Sequence, residues 1–128
     1  MKLLLDTCSF LWLTNKTHHL SSTAKDVLEN SSHTFFISDV TVWEICMKWQ
    51  AEKLPLPKPP PNWVTEQKKI WQFNTLPIKE VHLYRTTQLP DHHRDPFDRL
   101  LVAQCLVEQL AILTPDPQIH RYPIEAIW

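Results

Sequence analysis

The segment "DPFDRLLVAQCLVEQLAILT", residues 95–114, decides the fold. Residues 95–109 carry apolar side chains at helical spacing behind Asp95 and Pro96. That pair is typical of a helix start, because Asp accepts hydrogen bonds from free backbone N–H groups and Pro is tolerated in the first turn. The next five residues, 110–114, are a mostly apolar run that predicts a buried strand. A long helix followed directly by a buried strand is typical of an α/β protein.

The rest of the chain repeats this alternation of helix and strand. The proline-rich segment "LPLPKPPP", residues 54–61, predicts an extended loop. No repeat or change in composition marks a boundary, so we expect a single domain over residues 1–128. Its class is α/β, with a mainly parallel central sheet covered by helices on both faces. The predicted strands are 2–5, 34–38, 75–78, 110–114 and 122–128, and the predicted helices are 7–14, 21–32, 39–50, 62–73, 79–88 and 95–109.

The composition excludes several classes of protein. The 128 residues include no glycine, whereas phosphate-binding loops and dinucleotide fingerprints need glycines for close backbone approach. The net charge is −1, so a nucleic acid would have to meet a local basic patch. No long uncharged run predicts a membrane helix. The three cysteines form no zinc or disulfide pattern, and we expect small buried residues in a reducing cytoplasm: Cys8, Cys46 and Cys105.

Four acidic residues lie where the predicted strands end. Asp6 follows the first strand and Asp116 follows the strand at 110–114, while Glu44 and Asp98 lie one turn inside helices. Ligands of parallel sheets bind beyond the carboxyl ends of the strands. Burying ionised carboxylates costs several kcal/mol unless they are paired or bind metal. An all-oxygen cluster suits Mg²⁺ or Mn²⁺, ions that activate water for phosphodiester hydrolysis.

Each of these acids also has a simpler interpretation. Asp6 could end a strand or cap a helix, and Glu44 could pair with Lys48 one turn later. Asp116 lies in "TPDP", which is typical of a turn. Taken singly, the simpler interpretations prevail for most of the acids. Taken together with their positions at strand ends, the four acids favour a metal site.

The two aspartates of "HHRDPFDRL", residues 92–100, divide two roles between them. Asp95 precedes Pro96 and is predicted to be the helix N-cap. Asp98 occupies the third helical position, where an acid also suits the helix dipole. Because Asp98 shares a stripe with apolar residues, we assign it to the metal site and expect the cap to fix the helix end that carries it.

Other candidates carry less weight. The adjacent histidines His18–His19 and His92–His93 do not face one way, so a zinc site is not expected. Tryptophans in the amphipathic helices are expected in the core or at an interface rather than as base-stacking platforms. They are Trp12, Trp43, Trp49, Trp63 and Trp71.

In this order, "LLLDTCSFLWL", "ISDVTVWEICMKW", "HRDPFDRLLVAQ", "LAILTPD" and "YPIEAIW" resemble the PIN-domain toxins of the VapC type. The resemblance covers nearly the whole chain, and "HRDPFDRLLVAQ" is its most specific part. It implies a PIN-like three-layer fold and a Mg²⁺- or Mn²⁺-dependent endoribonuclease. It also implies a homodimer or a hetero-oligomer with a small antitoxin that blocks the site.

The resemblance carries the four acids over as catalytic and metal-binding residues. Asp6 matches the first family acid, Glu44 the second in its "WEI" setting, Asp98 the third before "LLVAQ", and Asp116 the fourth.

Three further residues are secondary candidates, and two positions depart from the family. Thr114 matches a hydroxyl often found beside the fourth acid, and Asp95 and Lys48 are the other secondary candidates. Cys8 stands where the family commonly has His or Asn. Pro115 stands where Ala is common, and it could change how the fourth acid reaches the ion.

The expected activity is hydrolysis of RNA in the cytoplasm by metal-activated water, leaving 5′-phosphate and 3′-hydroxyl ends. One alternative is a PIN-like binding module without catalysis, against which the retention of four acids argues. Another is a metal-dependent phosphatase or DNA nuclease on a similar sheet.

Overall fold

The computed structural model describes all residues from Met1 to Trp128. Helices and strands alternate as predicted, and two short 3-10 helices lie at Thr17–His19 and Ile119–Arg121. The strands are β1 (Lys2–Leu5), β2 (Thr34–Ser38), β3 (Asn74–Leu76), β4 (Ala111–Leu113) and β5 (Ala126–Ile127). The helices are α1 (Thr7–Asn15), α2 (Ser22–Glu29), α3 (Asp39–Gln50), α4 (Pro60–Trp71), α5 (Glu80–Thr86) and α6 (Pro96–Glu108).

The five strands form one sheet in the order β3-β2-β1-β4-β5, and every pairing is parallel. From β1 the chain builds outward through β2 to β3, then crosses back to β4 and β5 on the other side. The order of the strands therefore reverses between β1 and β4. In open parallel sheets the crevice beyond the carboxyl ends at such a reversal is where ligands bind.

Helices cover both faces of the sheet, which confirms the predicted three-layer α/β class. Leu3 and Leu5 of β1 belong to one core cluster with residues of α1 to α4, among them Phe10 and Trp63. Leu4 lies in a second cluster formed with α6 and its neighbours. Successive side chains of a strand point to opposite faces, so a strand covered on both sides is apolar throughout. This explains the uninterrupted "LLL" of β1.

Several element boundaries differ from the prediction by a few residues, and two of these differences involve prolines. Helix α4 begins at Pro60, inside the segment predicted to be an extended loop. Proline is tolerated there because the first backbone N–H groups of a helix have no intrahelical partner. The last strand covers only Ala126–Ile127 rather than 122–128. Its residues pair with β4 only there, and Pro123 has no backbone N–H to contribute to a ladder.

The cysteines are less buried than predicted, whereas the tryptophans divide between the core and the surface. Cys105 is buried, but Cys8 and Cys46 are partly exposed, so the prediction of three buried cysteines was wrong for two of them. Trp63 lies in the core, and the exposed tryptophans are Trp43, Trp49 and Trp71. No helix combines the length and the apolar character needed to cross a membrane.

Candidate metal centre

A cavity of about 310 Å³ lies beyond the carboxyl ends of β1 and β4. The structure brings all four acids predicted from the sequence into the wall of this cavity. Their roles as metal ligands and catalytic groups remain predictions. The polar and charged side chains that line it are Asp6, Thr7, Cys8, Glu44, Lys48, Asp95, Asp98 and Asp116.

Asp6 directly follows β1 and is the N-cap of α1. Its Oδ1 accepts a hydrogen bond from the backbone N–H of Ser9 at 2.8 Å, and its Oδ2 accepts one from Thr114 Oγ1 at 2.6 Å. Burial raises the pKa of Asp6 above its ordinary value, although the bonds from Ser9 and Thr114 oppose the shift. Asp6 therefore both caps α1 and lines the cavity.

Glu44 is also buried and held from two sides. Its Oε1 accepts a hydrogen bond from Thr7 Oγ1 at 2.7 Å, and its Oε2 pairs with Lys48 Nζ at 2.7 Å. Burial alone would lower the pKa of Lys48. The hydrogen bond and charge of Glu44 outweigh this effect and raise the pKa, with Asp95 and Asp98 contributing. The predicted pairing one turn apart is thus present, and it lies in the wall of the cavity.

Asp95 is the predicted cap of α6, and Asp98 lines the cavity from the first turn of the same helix. Asp95 is the N-cap of α6, with its Oδ1 accepting from the backbone N–H of Phe97 at 2.8 Å. Asp98 lies in the first turn of α6, and its carboxyl group is largely buried. Burial raises the pKa of Asp98 to about 7; the charge of Asp95 adds to the shift and His93 opposes it.

Asp116 reaches the cavity despite Pro115. Its backbone N–H donates to Thr114 Oγ1 at 3.0 Å, and its Oδ1 accepts from the backbone N–H of Gln118 at 2.9 Å. The second bond is the local turn expected of Asp in "TPDP". Its Oδ2 lies 2.7 Å from His93 Nε2. Thr114 therefore links Asp6 and Asp116, since its hydroxyl donates to the first and accepts from the second.

His93 is the residue of this site that the sequence analysis missed. Its Nε2 lies 3.1 Å from Asp98 Oδ2 and 2.7 Å from Asp116 Oδ2. One ligand atom from each of these three residues lies within 4.8 Å of the others. His92 instead contacts the ring of Tyr122, with ring centroids 5.1 Å apart. The two histidines face different ways, as predicted, and His93 is the one that contacts acids of the cavity.

The residues present fit a divalent cation. Five carboxylates and a single lysine line the cavity. Burial raises the pKa of both Asp6 and Asp98, because it removes water from their charged forms, and a bound cation would offset that cost. A cluster of carboxylate oxygens is a hard donor set, and such sets suit Mg²⁺ or Mn²⁺ better than soft metals.

The chain belongs to the PIN domain family. The sequence profile of that family matches residues 3–125, which confirms the resemblance drawn from the sequence motifs. No curated protein sequence matches the chain significantly.

Solved structures share the fold at low sequence identity. A chain of VapBC2 from Rickettsia felis, bound to a DNA fragment from their promoter, is 15% identical with a TM-score of 0.72, over 98% of this chain and 97% of that one. A chain of DNA-bound VapBC from Salmonella typhimurium is 21% identical with a TM-score of 0.66, over 98% and 96%. A chain of VapBC-5 from Mycobacterium tuberculosis, described as a member of the VapBC family of toxin-antitoxin systems, is 15% identical with a TM-score of 0.59, over 94% and 89%.

Proposed function

We propose that this chain is a metal-dependent endoribonuclease and the toxin of a toxin–antitoxin pair. The observation that carries the proposal is the gathering of four carboxylates, spread over 110 residues of sequence, in one cavity at the sheet's ligand-binding edge. Membership of the PIN domain family and the likeness to VapBC structures support it. We treat residues 1–128 as one PIN domain, because β5 pairs with β4 and Trp128 packs against Trp12.

The acids of the cavity would hold Mg²⁺ or Mn²⁺. Asp6, Glu44 and Asp98 are its ligands, directly or through water, and Asp116 completes the acidic pocket. Such an ion supplies charge compensation for the phosphate and lowers the pKa of a bound water.

The chain's own side chains orient the reactants. Thr7, Ser9 and Thr114 donate hydrogen bonds that fix the carboxyl groups of Glu44 and Asp6. The carboxylates position the attacking water and accept its proton. Attack in line breaks the bond from phosphorus to the 3′-oxygen, which takes up a proton from solvent, and yields 5′-phosphate and 3′-hydroxyl ends.

Lys48 is the cation that the cavity offers to the RNA backbone. Its side chain is about half exposed, so it can contact a phosphate while remaining close to Glu44. Without a cation, the five carboxylates would repel RNA, so binding of RNA and binding of metal are expected to reinforce each other.

Cleavage of a labelled RNA by the purified protein tests this proposal. Mg²⁺ or Mn²⁺ should support cutting, chelation should stop it, and the new ends should be 5′-phosphate and 3′-hydroxyl. Asp6→Asn and Asp98→Asn should each lower the rate by at least about a hundredfold, as expected when a carboxylate of the reacting centre is lost. Asp26→Asn is the matched control, because Asp26 is exposed on α2. Full activity in either cavity variant would contradict the assignment.

The same assay separates the alternative activities. Single-stranded DNA, duplex DNA and a phosphomonoester are offered under the same conditions. Preferential cutting of DNA or release of phosphate would replace the ribonuclease proposal. Binding of metal without any hydrolysis would favour a PIN-like binding module.

An exposed apolar surface supports a protein partner, either a second copy or an antitoxin. Trp43, Leu83 and Phe97 line a cavity of about 460 Å³ on the outside of α3, α5 and α6. Exposed apolar patches commonly mark protein interfaces. Expression of the chain alone should arrest growth, and co-expression of a small antitoxin should restore it. Light scattering of the purified protein measures whether it is a homodimer.

A further inference from the structure

His93 lies against two acids of the cavity wall, Asp98 and Asp116, and its ring has a defined tautomer. Its Nδ1 lies 3.1 Å from the backbone nitrogen of Asp95, which can only donate. Nδ1 is therefore the acceptor, and in a neutral ring the proton is on Nε2. That Nε2–H donates to Oδ2 of Asp116 at 2.7 Å, and Oδ2 of Asp98 lies 3.1 Å from the same nitrogen, within ion-pair distance.

We propose that His93 is a positioning residue of the metal centre, which donates from Nε2 to Asp116, contacts Asp98 with the same nitrogen and so holds the two carboxylates together, and is not itself a metal ligand. This inference rests on the proposed metal-dependent function and assigns a role within the same site.

Coordination by His93 would require a different tautomer. A ligating imidazole offers a lone pair on one nitrogen and normally donates from the other to a carbonyl or carboxylate. Here the only lone pair of the neutral ring already faces the N–H of Asp95. Moving the proton to Nδ1 to free Nε2 would turn two N–H groups toward each other. The hydrogen-bond pattern is the reverse of the one found in ligating histidines.

The backbone around His93 leaves the ring little freedom to rearrange. The N–H of His93 donates to the hydroxyl of Tyr122 at 3.0 Å, and Tyr122 is buried in the core. Arg99 Nη1 lies 3.3 Å from the same hydroxyl and donates to the carbonyl of Pro90 at 3.1 Å, while its Nη2 donates to the carbonyl of Thr86 at 3.0 Å. The loop is thus fastened to the protein on both sides of the histidine.

The two carboxylates that contact His93 differ in how many of their oxygens have a partner in the protein. Asp116 has both oxygens engaged, Oδ2 by His93 and Oδ1 by the N–H of Gln118. Asp98 has only its Oδ2 in contact with His93, at 3.1 Å. Its Oδ1 remains available to an ion. His93 therefore lies against one oxygen of Asp98 and leaves the other free for coordination.

Nitrogen NMR on protein labelled with ¹⁵N-histidine tests the tautomer directly. We expect the Nε2–H form for His93 without metal and the same form after addition of Mg²⁺, with His93→Gln used to assign the signal. Cd²⁺, a spin-½ probe for coordination, should show no coupling to His93 Nε2. An Nδ1–H signal, from either the other tautomer or the charged ring, or a coupling to Cd²⁺, would overturn the proposal.

Binding of Mg²⁺ measured by calorimetry tests the consequence. His93→Leu removes the donor and should weaken binding about tenfold, at the lower end of the range for loss of a group that orients metal ligands. His93→Gln keeps an N–H donor at a similar reach and should stay within about threefold of the original protein. His92→Gln, the same change one residue earlier, should leave binding unchanged. Equal losses in the Leu and Gln variants, or none in His93→Leu, would overturn the proposal.

These readouts are independent of RNA cleavage. A protein that binds Mg²⁺ through a His93-dependent site but cuts no RNA would contradict the proposed function and leave the role of His93 intact. A protein that cuts RNA while His93 has the other tautomer would do the opposite. If His93→Leu does not fold, the NMR measurement and the Gln variant still decide the question.

Discussion

Helix α6 contributes to two clusters of buried polar side chains. They differ in whether other groups of the protein fully pair the polar and charged atoms of the cluster. Asp98 in the first turn of α6 belongs to the acidic cavity, and Gln104 further along belongs to an internal network. In the network, hydrogen bonds satisfy each of the polar groups. In the cavity, carboxylates outnumber the cation that compensates them. The network stabilises the fold, and the cavity leaves negative charge for a ligand to compensate.

The internal network joins three elements behind the sheet. Ser38 Oγ donates to Gln104 Oε1 at 2.5 Å, and Gln104 Nε2 donates to the carbonyl of Pro77 at 3.2 Å. The fully buried His82 accepts from the backbone N–H of Lys79 at 2.9 Å and meets Glu108 through its other nitrogen at 3.2 Å. Such a network specifies the packing of α5 and α6 against β2 without needing anything from outside.

The largest effect is expected from breaking the internal network. Gln104→Leu keeps the approximate volume but leaves Ser38 Oγ and the carbonyl of Pro77 without this partner. Leaving the buried Ser38 hydroxyl without its acceptor costs about 1–3 kcal/mol and losing the part-buried bond to Pro77 about 1 kcal/mol, so the free energy of unfolding should fall by about 2–4 kcal/mol. Urea unfolding measures the loss.

The control for this change is Gln50→Leu, since Gln50 is exposed at the end of α3. It should change stability by no more than about 0.5 kcal/mol. A loss below about 1 kcal/mol in Gln104→Leu would show that the network contributes little to the fold.

Removing one charge from the cavity should have the opposite effect. The pKa of Asp98 is raised from 3.8 to about 7 in the folded protein. A raised carboxyl pKa favours folding below pH 3.8, and that contribution is lost as the pH rises through about 7. Without metal, Asp98→Asn should therefore be more stable than the original protein at pH 8, by about 1–3 kcal/mol after allowance for partial solvent screening.

Thermal unfolding in chelator at pH 5 and pH 8 measures this difference. The advantage of Asp98→Asn should be larger at pH 8, and Mg²⁺ should cancel it by stabilising the original protein more than the variant. Asp26→Asn, on the exposed face of α2, should show neither effect. An equal gain in stability at both pH values would mean that the charge of Asp98 does not destabilise the metal-free protein.

The acidic cavity could be predicted from the sequence because its acids follow local signals. Asp6 and Asp116 stand just beyond apolar strands, and Asp98 stands one turn after a helix cap. A parallel sheet brings such positions to one edge whatever the details of packing. The family resemblance pointed to the same four acids.

The histidine and the internal network could not be predicted in the same way. The direction of the His93 ring depends on a loop held by Tyr122 and Arg99, and nothing local to "HHRD" fixes it. Gln104 stands among apolar residues of α6, and its partner Ser38 lies 66 residues earlier in the chain. Contacts of this kind depend on tertiary structure. His93 does open the motif "HRDPFDRLLVAQ", which was the one available signal.

The smallest effect on stability is expected at Lys48, where the cavity meets solvent. Lys48→Met removes an ion pair with Glu44 whose lysine is about half exposed, so unfolding should change by less than about 1 kcal/mol. The cavity would lose its only lining lysine. Mg²⁺ should then bind several-fold more tightly by calorimetry, because no ammonium group competes for Glu44, while the KM for RNA should rise. Lys53→Met, at an exposed position beyond the end of α3, should leave all three quantities unchanged. Weaker binding of Mg²⁺ in Lys48→Met would show that the lysine positions Glu44 for the ion rather than competing with it. Uncompensated negative charge would then not be what distinguishes the cavity from the internal network.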